Sequence, residues 1–186
     1  MKLIIIIVVL VVLAVVVYAG CATSRAGYAS APYKVLKKDD KFEVREYPTL
    51  TIVETPMRGA DDSFMRLFRY ISGQNAATQK IAMTTPVFMT SNSMAFVMPE
   101  KMTADQVPQP KNNQVAITSI PTGKFAVMRF GGSRNAKNET NTVVELTRWL
   151  QREKLTATGE TIFGYFDPPW TPPFLRRNEV MLRLAP

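Results

Sequence analysis

There is no histidine in this chain of 186 residues. That absence removes the commonest metal ligand, general base and haem ligand together. It also leaves any serine or cysteine nucleophile without its ordinary base. Cysteine occurs once, at position 21, so no intrachain disulfide can form. No Lys/Arg run is present either: 23 basic and 15 acidic residues give a net charge of +8, scattered along the sequence. Without a basic stripe or a nucleic-acid motif, this excess reads as a solvated or anion-attracting surface. A Gly-rich phosphate loop and a zinc-ligand spacing are both missing, and Gly131-Gly132 lacks the pattern that would make it one. The acidic pairs Asp39-Asp40 and Asp61-Asp62 sit at a turn and a helix start, where solvation and capping account for them. These absences point away from an enzyme and towards a binding module.

What is present begins with Lys2 and an uncharged, mostly Ile/Val run from Leu3 to Gly20, followed directly by Cys21. A positive start, an apolar core and small residues before the break describe an export signal. Ala19-Gly20-Cys21 resembles a bacterial lipoprotein box. In that reading residues 1–20 are a signal peptide and Cys21 becomes the lipidated first residue. The other reading is an uncleaved single-span anchor, for which 18 apolar residues are just long enough. Either way the domain is membrane-anchored and faces the periplasm or the cell exterior. Residues 21–32 form a small, polar tether, and residues 33–186 are the domain.

Within the domain, strands are expected at Tyr33–Leu36, through Phe42 and Val44, and at Leu50–Glu54. A helix follows, with Phe64, Leu67, Phe68 and Ile71 on its core face, closed by Gly73. Lys80–Thr90 and Ser93–Met98 read as two strands. Strands at Gln114–Ile120 and Lys124–Phe130 then lead to a second helix presenting Val143, Leu146, Thr147 and Leu150. Thr161–Phe166 and Asn178–Leu184 complete eight strands. The fold class expected is α+β: a distorted, antiparallel eight-stranded barrel or curved sheet flanked by two helices, with a ββαββ pattern occurring twice.

Four prolines, Pro168, Pro169, Pro172 and Pro173, forbid helix or central strand between Asp167 and Phe174. This has to be an ordered, extended loop, and its Trp170 and Phe174 are large apolar groups that seek a surface to cover. Asp167-Pro-Pro-Trp-Thr-Pro-Pro173 followed by Arg176-Arg-Asn-Glu-Val180 resembles the C-terminal signature of the SOUL haem-binding protein family. Phe42-Glu-Val-Arg-Glu-Tyr47 resembles a second family motif. Tyr70-Ile-Ser-Gly-Gln-Asn75 running into Lys80-Ile-Ala-Met-Thr-Thr-Pro-Val87 resembles a third. The three stand in the family's order between Tyr33 and Leu184.

The resemblance implies a distorted barrel that binds haem or a related tetrapyrrole without a covalent link. Where the family's animal branch carries its proposed axial histidine, this chain has Glu46. Haem would then be held by apolar burial, or by a weak Met or Tyr ligand. From the residues themselves, a tetrapyrrole asks for an apolar cleft with cations at its rim. Met83, Met89, Met94 and Met98 on adjacent strands are candidates to line it, or to fill the core. Arg66 and Arg69, one helical turn apart beside Met65, are candidates to clamp a carboxylate, or to form a solvated face. With Trp170 as pocket rim, the candidate binding residues are Met65, Arg66, Arg69, Met83, Glu46 and Trp170. The function expected is haem carriage or buffering at a membrane. Two alternatives stay open: a binding module for another amphipathic small molecule, and a structural or partner-binding envelope lipoprotein.

Overall fold

The computed structural model describes residues 2–22, 27–57 and 62–186. The Cys21 side chain and Asp61, both singled out in the sequence, lie outside the described part. The first helix, α1 (Lys2–Ala22), has 21 residues. Its large aliphatic side chains from Ile4 to Val16 are each 52–67% exposed, on every face of the helix. Among the described residues no helix is long and apolar enough to cross a membrane.

Among the described residues eleven strands follow: β1 (Ala29–Ser30), β2 (Lys34–Asp39), β3 (Phe42–Tyr47), β4 (Leu50–Pro56), β5 (Thr84–Thr85), β6 (Val87–Met89), β7 (Ser93–Val97), β8 (Ala116–Ile120), β9 (Gly123–Phe130), β10 (Ala157–Tyr165) and β11 (Asn178–Leu184). Helix α2 (Ser63–Ile71) lies between β4 and β5, and α3 (Ala136–Arg152) between β9 and β10. Nine of the strands make one antiparallel sheet in the order β2-β3-β9-β11-β10-β6-β7-β4-β8. It is α+β, as expected, but the sheet has nine strands rather than eight. It is also not a closed barrel, because β2 and β8 remain as edges.

Alternation decides which side chain goes where. On β3, β9 and β11 one face carries Phe42, Val44, Ala126, Met128, Val180 and Leu182, which pack with Leu146, Trp149 and Leu150 of α3. Across the sheet, Val53, Met94, Phe96 and Met98 pack with Leu67, Tyr70 and Ile71 of α2. The opposite faces of both halves meet in a third cluster holding Tyr47, Ile52, Phe88, Val97, Phe125, Val127 and Met181. The sheet therefore curls around its own inner face and carries one helix on each half of its outer face.

Several local expectations change. The expected strand Lys80–Thr90 is interrupted, because a cis Thr85–Pro86 bond separates β5 from β6. Pro86 lies against Gly164, where an added Cβ would come within 3.2 Å of the proline ring. On α2 the buried residues are Ser63, Leu67, Tyr70 and Ile71, whereas Phe64 and Phe68 stay 41% and 42% exposed. On α3 the largest buried side chain is Trp149, outside the expected stripe. It stacks flat on Phe42 with ring centres 5.1 Å apart and donates Nε1–H to Asp39 at 2.7 Å. The folded body also takes up chain before Tyr33: β1 pairs with β5, and buried Ala31 donates its N–H to the Thr85 carbonyl at 2.9 Å.

Candidate functional site

The inner face of the sheet holds charge where the sequence alternation suggested solvent. Glu43, Arg45 and Tyr47 point inward from β3, Glu179 from β11, and all four are buried. Arg45 donates to both Glu179 oxygens at 2.7 and 2.9 Å, to Glu43 at 2.6 Å and to the Tyr47 hydroxyl at 3.0 Å. Its guanidinium lies 4.1 Å from the Tyr33 ring centre. Arg177 donates to Glu179 at 2.6 and 3.0 Å, and Arg129 reaches Glu43 at 3.1 Å. Burial pushes the Tyr47 hydroxyl up to about 12. Burial alone would also raise the Glu179 carboxyl, but Arg45 and Arg177 more than offset it and hold it below the usual carboxylate value. This network pairs its carboxylates with arginines and knits the core, although the buried Arg129 Nε finds no hydrogen-bond partner.

The other recurring stretches are knitting devices too. Asn75, fully buried, donates to the Tyr70 and Gln79 carbonyls at 3.0 and 2.6 Å and accepts from the Gln79 N–H at 3.0 Å. Thr84 donates its hydroxyl to the Val97 carbonyl at 2.5 Å.

Space for a ligand lies on the outer face, in a groove of about 590 Å³ between α3, strands β6 and β10 and the residue after β4. Its floor is Met89 of β6 and Phe163 of β10, directly paired across the strands. One wall is a stripe of α3: Ala136, Glu139 and Thr140, then Val143 and Val144, spaced by one helical turn. Met57, at the end of β4, and the Thr90–Ser91 turn form the other wall. Arg134, Glu139 and Glu160 supply the charges. Arg134 pairs with Glu139 at 3.2 Å and lies 5.9 Å over the Tyr165 ring. Tyr165 donates its hydroxyl to the same carboxylate at 2.5 Å, and burial together with that bond drives its pKa far up. The groove is thus apolar below and polar at the rim, and its volume falls in the range of small-molecule sites.

The residues singled out in the sequence do not converge there. Arg66 and Arg69 do face a common hollow, with Lys111, Gln74 and Gln114, but it holds only about 90 Å³. Arg66 donates to the Thr55 hydroxyl at 2.9 Å and to the Pro56 carbonyl at 2.6 Å, and Arg69 pairs with Asp62 at 2.9 Å. Met65 is 41% exposed. Met83 packs on the α2 cluster, together with buried Met94 and Met98, while Met89 alone of that set lines the groove. Glu46 is exposed near the end of β3, opposite Lys34 and Lys124. Trp170 and Phe174 are 72% and 83% exposed on the proline loop. Sequence reasoning missed Met57, Val143 with Val144 as a wall, and Phe163. They come from three distant segments, and only the stripe on α3 has a periodic signal.

The family model for the SOUL heme-binding protein matches residues 28–183. Heme-binding protein 1 of Xenopus tropicalis is 26% identical over 168 residues, covering 79% of this chain and 87% of that protein. Among solved structures, an uncharacterized conserved protein from Listeria innocua superposes with a TM-score of 0.61 at 13% identity, over 78% of this chain and 92% of the other. The EcmrR C-terminal domain does so with a TM-score of 0.58 at 12% identity, over 82% and 98%. At these identities the two structures share the fold.

Proposed function

This chain belongs to the SOUL heme-binding protein family, and from that premise we propose that it binds haem or a related tetrapyrrole, non-covalently, in the groove that α3 forms with β6 and β10. The observation that carries the reading is the groove's make-up. Met57, Met89, Val143 and Phe163 offer an apolar bed for a flat ring, and Arg134 stands at the rim for a propionate. The residues fit the group in size and polarity, with one restriction. The chain has no histidine, so the thioethers of Met57 and Met89 are the side chains in the groove able to approach the iron as weak ligands. Haem would supply the iron and its redox chemistry, and the protein would bury the ring and exclude water from one face.

The role assigned is carriage or buffering, in keeping with membership of a heme-binding family. We further read the uncharged run before Cys21 as the device that holds the domain at a membrane, through a lipid on Cys21 or as an uncleaved span. The domain would then face the periplasm or the cell exterior. Titration of the chain with haemin, followed in the Soret region, tests the binding: saturable absorbance at one equivalent is expected.

A second reading is favoured by charge. Glu139 and Glu160 outnumber Arg134 around the groove, which suits a neutral or cationic amphipathic molecule at least as well as an anionic one. Competition between haemin and a lipophilic cation separates the two. Displacement of bound haemin by the cation supports one shared groove, whereas tight cation binding with no haemin response leaves only the second reading.

A further inference from the structure

The proline loop presents two aromatic rings to solvent and is braced to keep them there. Thr171 N–H bonds to the Pro168 carbonyl at 3.0 Å, and Leu175 N–H to the Pro172 carbonyl at 2.9 Å. Arg176 donates to the carbonyls of Thr171, at 2.7 Å, and of Pro169. Arg177 N–H bonds to the Asp167 carboxylate at 2.6 Å, and Gly132 N–H to the Pro173 carbonyl at 3.0 Å. A loop this constrained cannot fold Trp170 and Phe174 back onto the body. Their 72% and 83% exposure is therefore a built feature.

The placement of the loop relative to the chain's entry indicates what covers those rings. The loop leaves the sheet just after Tyr165, the last residue of β10, which pairs with Val87, the first residue of β6. Val87 in turn pairs with Phe96, and the next carbonyl, that of Val97, takes the Thr84 hydroxyl. Thr84 pairs with Ala29. The N-terminal segment thus joins the folded body at the same end of the sheet from which the proline loop projects. Between Ala22 and Ala29 stand six residues, a reach of about 25 Å when fully extended. Whether Cys21 carries lipid or α1 spans the bilayer, residue 21 or 22 lies at the membrane surface, and that short reach brings this end of the domain down to it.

Charge and side-chain type agree with a lipid surface. Arg134 and Lys137 are exposed on the segment after β9 that Gly132 ties to the loop. Their positive charge suits anionic headgroups. Tryptophan and phenylalanine beside basic residues are the side chains that seat in a membrane interface.

We propose that Trp170 and Phe174 insert into the headgroup region of the membrane that holds the N-terminal segment, so that the domain stands on this end as a second, fixed contact. The proposal rests on the membrane-tether part of the function proposed above. The full chain, reconstituted into vesicles of phosphatidylcholine and phosphatidylglycerol, tests both parts separately. Flotation with the vesicles reports the tether. Trp149 is buried, so iodide quenching of tryptophan emission reports Trp170. Expected is a several-fold weaker iodide quenching than for free tryptophanamide in the same suspension, together with quenching by lipids brominated near the headgroup. Trp170→Phe should abolish the lipid-quenched component. A floated chain whose Trp170 is quenched by iodide like the free amide overturns the docking and leaves the loop to a protein partner. A chain that does not float overturns the tether, and the docking with it.

Discussion

Arg45 and Glu179, 134 positions apart in the chain, form a two-pronged ion pair inside the sheet, with N–O distances of 2.7 and 2.9 Å and no solvent exposure of either residue. The pair joins Phe42-Glu-Val-Arg-Glu-Tyr47 to Arg176-Arg-Asn-Glu-Val180, two of the stretches by which the sequence resembles its family. Those stretches hold the two ends of the domain together, and the groove is lined mainly by residues outside them.

Removing Glu179 takes away the two-pronged partner of a buried guanidinium and leaves it with Glu43. Glu179→Ala should lower stability by about 3–5 kcal/mol, read from urea or guanidinium melts. Replacing both partners with methionine should cost clearly less than the single change. A double variant as unstable as Glu179→Ala would mean that the charges contribute more than packing of similar volume can replace.

The same pair sets an acid limit. The folded-state pKa of Glu179 is held below its unfolded value. Its contribution is therefore fully present above the ordinary glutamate pKa of about 4.3. It is lost as pH falls through the lower, folded value. The melting temperature should drop on acidification in that window, and Glu179→Gln should flatten this part of the profile. A variant profile parallel to the wild type would assign acid sensitivity to other carboxylates.

Trp149 ties α3 to β2 and β3 by two separable contacts, its stack on Phe42 and its N–H on Asp39. Trp149→Ala should cost about 3–5 kcal/mol. Asp39→Ala, which removes the acceptor together with its ion pair to Arg152 at 2.7 Å, should cost clearly less. Equal losses would show that the hydrogen bond, not the ring, anchors the helix.

How far the sequence foretold the structure varies with the kind of signal. Leu146 and Leu150 on α3 follow from periodicity and lie buried where expected. Gly73 closes α2 with a φ of +105°, as a C-terminal glycine should. The inward charge of Glu43, Arg45 and Glu179 was not legible, because a polar residue on an alternating strand reads the same whether it faces water or an opposite charge across the interior. Phe64 and Phe68 misled for a related reason. Spacing places them near the core stripe, but Tyr70 takes the buried position and bonds the Pro108 carbonyl. The groove was illegible because Met57 and Phe163 adjoin only after β6, β7 and β10 have paired.

Haem bound here should lack a histidine signature. Its Soret band should be broad and weakly perturbed, and Glu46→His should not sharpen it. Glu46 stands exposed near a strand end beside Lys34 and Lys124 and does not line the groove. A six-coordinate spectrum in Glu46→His would move the site to that edge of the sheet.

The most direct measurement of the groove as the binding site is haemin affinity in two variants. Val144 lines the groove and is 42% exposed, so Val144→Trp should fill the cleft while changing folding stability by no more than about 0.5 kcal/mol. It should weaken haemin binding by about tenfold or more, some 1.4 kcal/mol. Arg66→Ala with Arg69→Ala, on the separate small hollow, should leave affinity unchanged. Undiminished binding in Val144→Trp, with a loss in the double arginine variant, would contradict the account and place the ligand at the small hollow beside α2.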